Sequence, residues 1–406
     1  QSKLDQAGWP DGLIDRVLAL RRDRGELEAW LDMGFPTPEM LGDWVPLQET
    51  LLGSTLTTRQ ATWEDHQMLA DLCADAPERV GDWSVTVDRG PNPYAQYRLQ
   101  EHPSVIVLED QRIGLGMAAS SVRNTFIDGE PTSVHMMSGW RIRDGFRGLG
   151  LSRMLQNAAG PGVGWFGLVS YWFVRSGNAS STWIDKVVAD IEDRGAGFGA
   201  ATDALTASVT HFGRTELGER SPRVRPATSS DAPACIDLIN STHNGLDLFR
   251  PYTESYLDER MQDPNWGPKP SFYHEVYGLD DHRVLEVDGR IVACAGLWDR
   301  GRDVREVWQK DDERFVVDPA AMLDFGYAEG QEAAMVELIV HLMAETDDLG
   351  RSGLLAPLEY VPAVAELTSD LHPTVETRQL HVLPFSSPDL TIELTISRPY
   401  IDLAYW

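Results

Sequence analysis

The stretch WRIRDGFRGLGLSRML, residues 140–155, decides the fold. It opens as a strand, passes Gly145, Gly148 and Gly150, and closes on an apolar helical run. Gly148 and Gly150 let the backbone turn without a Cβ, so that successive N–H groups face one concavity. Those donors meet the start of a helix, where the partial positive charge favours an anion, and Arg147 adds a full charge at the rim. No Lys follows the last glycine, so the turn is not a nucleoside-triphosphate loop. No glycine stands three residues beyond Gly150, which disfavours a dinucleotide fingerprint.

Around this turn the chain repeats itself. TTRQATWEDHQMLADLC (57–73) aligns with RVRPATSSDAPACIDLI (223–239), so that Arg59, Ala61, Thr62, Asp65, Asp71 and Leu72 recur as Arg225, Ala227, Thr228, Asp231, Asp237 and Leu238. Each copy reads as a short strand, a Thr able to cap a helix, and an apolar helical face. VLEDQRI (107–113) and LEVDGRI (285–291) each read as a strand, a polar turn and the next strand of a hairpin. Two matches in the same order indicate two copies of one domain. The expected organisation is a helical extension over 1–52, a first domain over 53–218 and a second over 219–406. In the first copy, strands are expected near 104–108, 113–126, 133–142, 166–174 and 205–211, with helices near 151–159 and 179–191. In the second, strands are expected near 284–287, 291–297, 304–309, 377–383 and 391–396, with a helix near 331–344. This is a mixed α/β architecture.

The order of elements and the turn together resemble the GNAT superfamily of acyl-CoA-dependent acyltransferases. Ile142, Phe146, Arg147, Gly150 and Ser152 stand at that family's motif positions, with Ser152 where Gly or Ala is usual, and Asn178 matches its second landmark. The resemblance implies two GNAT-like domains, each a mixed, mostly antiparallel sheet flanked by helices. It also implies acetyl-CoA or another acyl-CoA as donor. The amides of Gly148, Leu149, Gly150, Leu151 and Ser152 would hold the CoA pyrophosphate. The strand end at Trp140–Ile142 would splay from its neighbour and bind the pantetheine arm, leaving the acyl carbonyl in a V-shaped gap that an amine enters from the other side. The corresponding stretch of the second copy, 316–340, lacks the glycine turn, and Asp324 and Glu329 would repel a phosphate there.

The catalytic groups are less defined. The strand over 133–142 has no carboxylate; His135 is its one conventional base, and equally a structural histidine. Ser138 would orient a water or an acceptor, or simply fill space. Strict alternation puts Met136, Ser138 and Trp140 on one face and His135, Met137 and Arg141 on the other. The family often has a Tyr seven residues after the Asn; here that position is Asp185. Trp165, Trp172 and Trp183 are available to line a pocket or a core, and RPYIDLAYW at 398–406 to reach the first copy's site.

The net charge of −28 argues against nucleic acid as a partner. It fits a solvated acidic surface or an acidic cleft for a cationic amine. The three cysteines are scattered singly, as in a reducing cytoplasm, and no apolar run spans a bilayer. The functional expectation is acyl transfer, acetyl in the first instance, to the amine of a small molecule. The alternatives are malonyl-CoA decarboxylation or S-acylation of a carrier protein by a GNAT-like site, and a non-catalytic CoA-binding scaffold.

Overall fold

The computed structural model describes residues 56–90, 92–143, 146, 151–159, 169–175, 205–214, 220–255, 266, 269–271, 273–384, 396 and 398–406. The expected extension over 1–52, the helix near 179–191 and the strand near 391–395 lie outside them.

The first half runs β1 (Leu56–Gln60), α1 (His66–Ala74), β2 (Glu78–Val80), β3 (Trp83–Asp88), α2 (Ala95–Arg98), β4 (Ser104–Asp110), β5 (Ile113–Ile127), β6 (Glu130–Ile142), α3 (Leu151–Ala159), β7 (Val169–Arg175) and β8 (Leu205–Gly213). The second runs β9 (Val224–Pro226), α4 (Ala232–His243), β10 (His282–Val287), β11 (Arg290–Trp298), α5 (Arg300–Asp303), β12 (Arg305–Lys310), β13 (Glu313–Val317), β14 (Ala320–Tyr327), α6 (Glu332–Asp348), β15 (Gly353–Ala356), α7 (Pro362–Leu367) and β16 (Thr374–Pro384).

Twelve of these strands form one sheet in the order β1-β4-β5-β6-β7-β16-β8-β15-β14-β11-β10-β9. The order is symmetric about its centre: each half contributes five strands running inward from an edge, and the two final strands cross over. β16 pairs with β7 of the first half, and β8 pairs with β15 of the second. All pairings in the sheet are antiparallel except β6–β7 and β14–β15. A second sheet, β13-β12-β3-β2, again joins the halves, because β12 pairs with β3. The strand expected near 304–309 is β12 and belongs to this second sheet. The central strand of the second half is β14, in the stretch 316–340, where the sequence reading assigns no strand.

The repeated residues build the same device twice. Arg59 grips Asp65 at 2.7 Å and Glu109 at 2.9 Å; Arg225 grips Asp231 at 2.7 Å and Glu286 at 3.3 Å. Each aspartate also accepts the backbone N–H of the Thr three residues before it, Thr62 or Thr228, at 2.8 Å. The arginine thus ties an edge strand, its neighbour and the first turn of a helix. Both hairpins turn through left-handed residues, Gln111 and Arg112 in one and Asp288 and Gly289 in the other. The closing segment crosses to the first half: Gln96 donates to the carbonyl of Trp406 at 2.9 Å, and the Trp406 ring lies 5.5 Å from Phe173 of β7.

The Arg225 guanidinium holds the Asp231 carboxyl well below its ordinary range, with Thr228 assisting against a smaller effect of burial. A depressed folded-state pKa contributes stability above the unfolded value, about 3.9, that is lost as pH falls through the folded value. Asp231→Asn should therefore cost about 1 kcal/mol at pH 7 in urea unfolding, and its deficit should shrink as the pH is lowered below about 4.

Candidate functional site

The site is built on a break in one strand. β5 and β6 pair in register from Ile127–Glu130 to Ala119–Ser138, shift, and resume at Met117–Arg141. The bulge falls at Gly139, whose φ is 59°. A Cβ there would run into the Tyr97 hydroxyl, so both dihedral and space require glycine. On its other edge β6 pairs with β7 only from Val134–Val169 to Met136–Tyr171, whereas β7 stays on β16 as far as Arg175. β6 and β7 therefore part beyond Met136, with the bulge at the mouth of the gap.

The bulge re-aims the side chains. Ser138 is opposite Ala119, which packs with Tyr97 and the α1 residues Leu69 and Leu72. Arg141 returns to that face and meets Glu78 of β2 at 2.7 Å. Trp140 and Ile142 pack on the other face with Phe146, Leu151 and Leu155. The grouping of Trp140 with Met136 expected from strict alternation is thus corrected by a one-residue slip. Leu151 is the buried first residue of α3, and Ser152 follows it, half-buried. Arg147, Gly148, Leu149, Gly150, Asn178, Asp185, Trp165 and Trp183 lie outside the described residues.

His135 and Ser138 stand on opposite faces of β6. His135 is buried, with Nδ1 3.1 Å from Ser170 Oγ of β7, and burial lowers its pKa to about 4. Ser138 Oγ is buried with no hydrogen-bond partner among the described residues.

The Ser138 face opens on groups that the sequence reading did not single out. The Tyr97 hydroxyl is buried against the bulge, has no hydrogen-bond partner among the described residues, and is pushed above its ordinary pKa by burial. Arg89 lies 4.7 Å over the Tyr97 ring and donates to Gln96 Oε1 at 3.0 Å. Arg175, at the end of β7, donates to Glu306 of β12 at 2.7 Å and lies 5.3 Å from the Trp308 ring. Arg378, opposite Arg175 on β16, pairs with Glu376 at 2.9 Å and covers the Trp406 ring at 4.2 Å. Burial works against the charge on Glu306, but Arg175, Arg300 and Arg378 outweigh it and hold its pKa at about 2. Burial acts the same way on Glu78, outweighed by Arg141, Arg175 and Arg378. Arg300 is lowered to about 10 by burial, the attraction of Glu306 being partly offset by Arg378 and Arg89; it remains protonated at neutral pH. The second sheet covers this face through Glu78 and Glu306, and the space between the two sheets is called the chamber. Among the described residues no cluster has the composition of a metal site, and no helix is long and apolar enough to cross a membrane.

The second half has a matching bulge put to another use. β14 shifts register against β11 at Asp324, whose φ is 47°. β14 and β15 pair only at Ala320–Leu354 and Ala321–Leu355 and then part. Here Asp324 is buried within the strand and accepts from Tyr252 at 2.5 Å and Tyr277 at 3.0 Å; it does not sit in a phosphate-facing loop. Phe325, Tyr360, His243 and Tyr400 pack together beside the parted strands. The turn from β14 to α6 spans 328–331, four residues, against the eight of 143–150 between β6 and α3.

No protein-family model matches the sequence, and no curated protein matches it significantly. Solved structures do. A structure of Saccharomyces cerevisiae N-myristoyltransferase with bound myristoyl-CoA superposes with a TM-score of 0.56 at 10% identity, covering 82% of this chain and 83% of that one. A second, also with myristoyl-CoA, gives 0.56 at 8% identity over 83% and 80%. A third, with myristoyl-CoA and inhibitors, gives 0.53 at 8% identity over 82% and 80%. The chain has the tandem α/β fold of these transferases, in agreement with the GNAT-like architecture expected from its sequence.

Gly139→Ala should cost about 1–3 kcal/mol through the left-handed backbone and the collision with Tyr97. Thermal unfolding checks it. Gly129→Ala, also left-handed but with open space around it, serves as the control and should cost less.

Proposed function

We propose that this chain, which carries the fold of an N-myristoyltransferase, is an enzyme that transfers the acyl group of an acyl-CoA to an amine. The observation that supports this best is the parted β6–β7 pair, with its bulge at Gly139, in the half whose sequence has the glycine turn. The donor is an acyl-CoA: the yeast structures of the same fold bind myristoyl-CoA, and acetyl-CoA is the simplest alternative. The acceptor is a small amine or the amino terminus of a short peptide, and the setting is cytoplasmic.

When bound, the donor supplies a thioester carbonyl open to attack. The amides of Gly148, Leu149, Gly150, Leu151 and Ser152, with Arg147, hold its pyrophosphate on the α3 side, and Asn178 borders the same groove. The unpaired edge of β6 at Trp140–Ile142 holds the pantetheine arm and places the carbonyl in the gap. Tyr97 donates a hydrogen bond to the oxygen on which charge develops, and its raised pKa keeps the proton in place through neutral and mildly alkaline pH. Ser138 orders the incoming amine or a water. His135, a weak base at about 4 and on the opposite face, braces the β6–β7 junction through Ser170.

Two measurements test this. Acyl-CoA binding by calorimetry should weaken at least about tenfold in Gly150→Trp, because bulk at that turn blocks approach to the amides; equally tight binding by both proteins removes the turn from the site. Thiol release from acetyl-CoA and myristoyl-CoA, with a panel of amines and short peptides, should show Tyr97→Phe lowering kcat about 10²-fold with donor affinity unchanged. Binding without turnover of any donor would favour the scaffold reading instead.

A further inference from the structure

We propose that Arg300 and Arg89 form an oxyanion subsite in the chamber on the Ser138 face, which takes a carboxylate or phosphate carried by the acceptor. The inference rests on the acyltransferase reading only for what bears the oxyanion.

Arg300 opens α5 and is 5% exposed; its carbonyl caps the helix by accepting from Val304 N–H at 2.8 Å, but its side chain makes no hydrogen bond or ion pair with any described residue, and its Nε is buried without a partner among them. Arg89 is 6% exposed and spends one hydrogen bond on Gln96, leaving its Nε unpartnered. A guanidinium used to brace a fold normally donates to carbonyls or carboxylates, and leaving one buried and unpaired is costly. Every carboxylate of the chamber already has its own arginine: Glu78 has Arg141, Glu306 has Arg175, and Glu376 has Arg378. Among the described residues, five arginines against three glutamates leave two positive charges over here, inside a chain whose net charge is −28.

The placement identifies the acceptor's side. Arg300 is within electrostatic reach of Glu306, Arg378, Glu376 and Arg89, all on the face of the sheet opposite α3. The donor's pyrophosphate belongs to the α3 side, so it does not supply the missing anion. Guanidinium groups match planar carboxylates and phosphates through paired N–H donors. An acceptor with its amine at the β6–β7 gap and an oxyanion toward Arg300 fits this division. The acidic cleft for a purely cationic acceptor, open from the net charge alone, gives way to an acceptor carrying both charges.

The test is thermal unfolding of the full chain in sodium acetate, succinate or inorganic phosphate, each against sodium chloride at equal ionic strength. Wild type should gain about 2 °C or more with at least one oxyanion, saturably. The carboxylate and phosphate arms show which group is taken. Arg300→Met should unfold at a higher temperature than wild type in chloride and show no oxyanion-dependent gain, because it removes an uncompensated buried charge. Arg300→Lys keeps the charge without the fork and should lose more than half of the gain. Absence of any gain in wild type, an undiminished gain in Arg300→Met or Arg300→Lys, or a folding defect in Arg300→Met overturns the proposal. Acyl-CoA binding is followed in parallel: its absence from wild type would sink the acyltransferase reading and leave the oxyanion titration to be judged on its own.

Discussion

β16 lies between β7 and β8, and the architecture depends on that insertion. β7 is held by β16 along its whole length, from Val169 to Arg175, but by β6 over only three residues. Its far end keeps one edge fully paired, so it can leave β6 without exposing an unpaired strand on both edges. The gap in the first half is therefore kept open by a strand from the second. The same crossing places Arg378 opposite Arg175 and brings Trp406 against Phe173, so the second half supplies part of the chamber wall as well. Neither half closes its sheet alone, although the sequence divides cleanly into two copies.

The two copies share a scaffold and differ at one strand position. At Gly139 the left-handed residue has no side chain, and a tyrosine hydroxyl occupies the space above it without a partner among the described residues. At Asp324 the left-handed residue has a carboxylate, and two tyrosine hydroxyls bond to it. Left-handed backbone is uncommon for a non-glycine residue inside a strand; the short bonds from Tyr252 and Tyr277 help to hold it. The first bulge thus keeps a donor available for something else, and the second has satisfied its own polar groups. The short turn of 328–331 removes the room for a row of amides, which agrees with the same division of labour.

Much of this was legible in the sequence, for identifiable reasons. The repeated Arg-x-x-Thr-x-x-Asp spacing encodes a local clamp, so Arg59 and Arg225 could be matched before their geometry was known. The long hairpin strands and α3 follow from short-range rules. β14 did not read as a strand because AAMLDFGY has no alternation: it is apolar on both faces and contains a bulge. Trp140 was placed on the wrong face for the same reason, since one inserted residue inverts everything beyond it. Tyr97 sits in a helix of four residues, too short to show a period. The chamber pairs Glu78–Arg141 and Arg175–Glu306 join segments 63 and 131 residues apart, a distance no local pattern spans.

The arginine excess also bears on the lack of a carboxylate base on β6, outside Glu130 at its start. Acyl transfer requires a neutral amine, and an ammonium is disfavoured wherever like charges are near. Glu78, Glu306 and Glu376 are each engaged by an arginine, and Arg89 and Arg300 repel a further cation. Under the proposed amine acylation, an acceptor amine entering between these groups would lose its proton more readily than it does in water, and its own oxyanion at Arg300 would offset the repulsion. The overall charge of −28 is no guide here, because surface carboxylates are screened by salt over roughly 8–10 Å while the buried arginines are not. In that proposal, a positively charged interior within an acidic protein would perform part of the deprotonation for which β6 carries no carboxylate beyond Glu130.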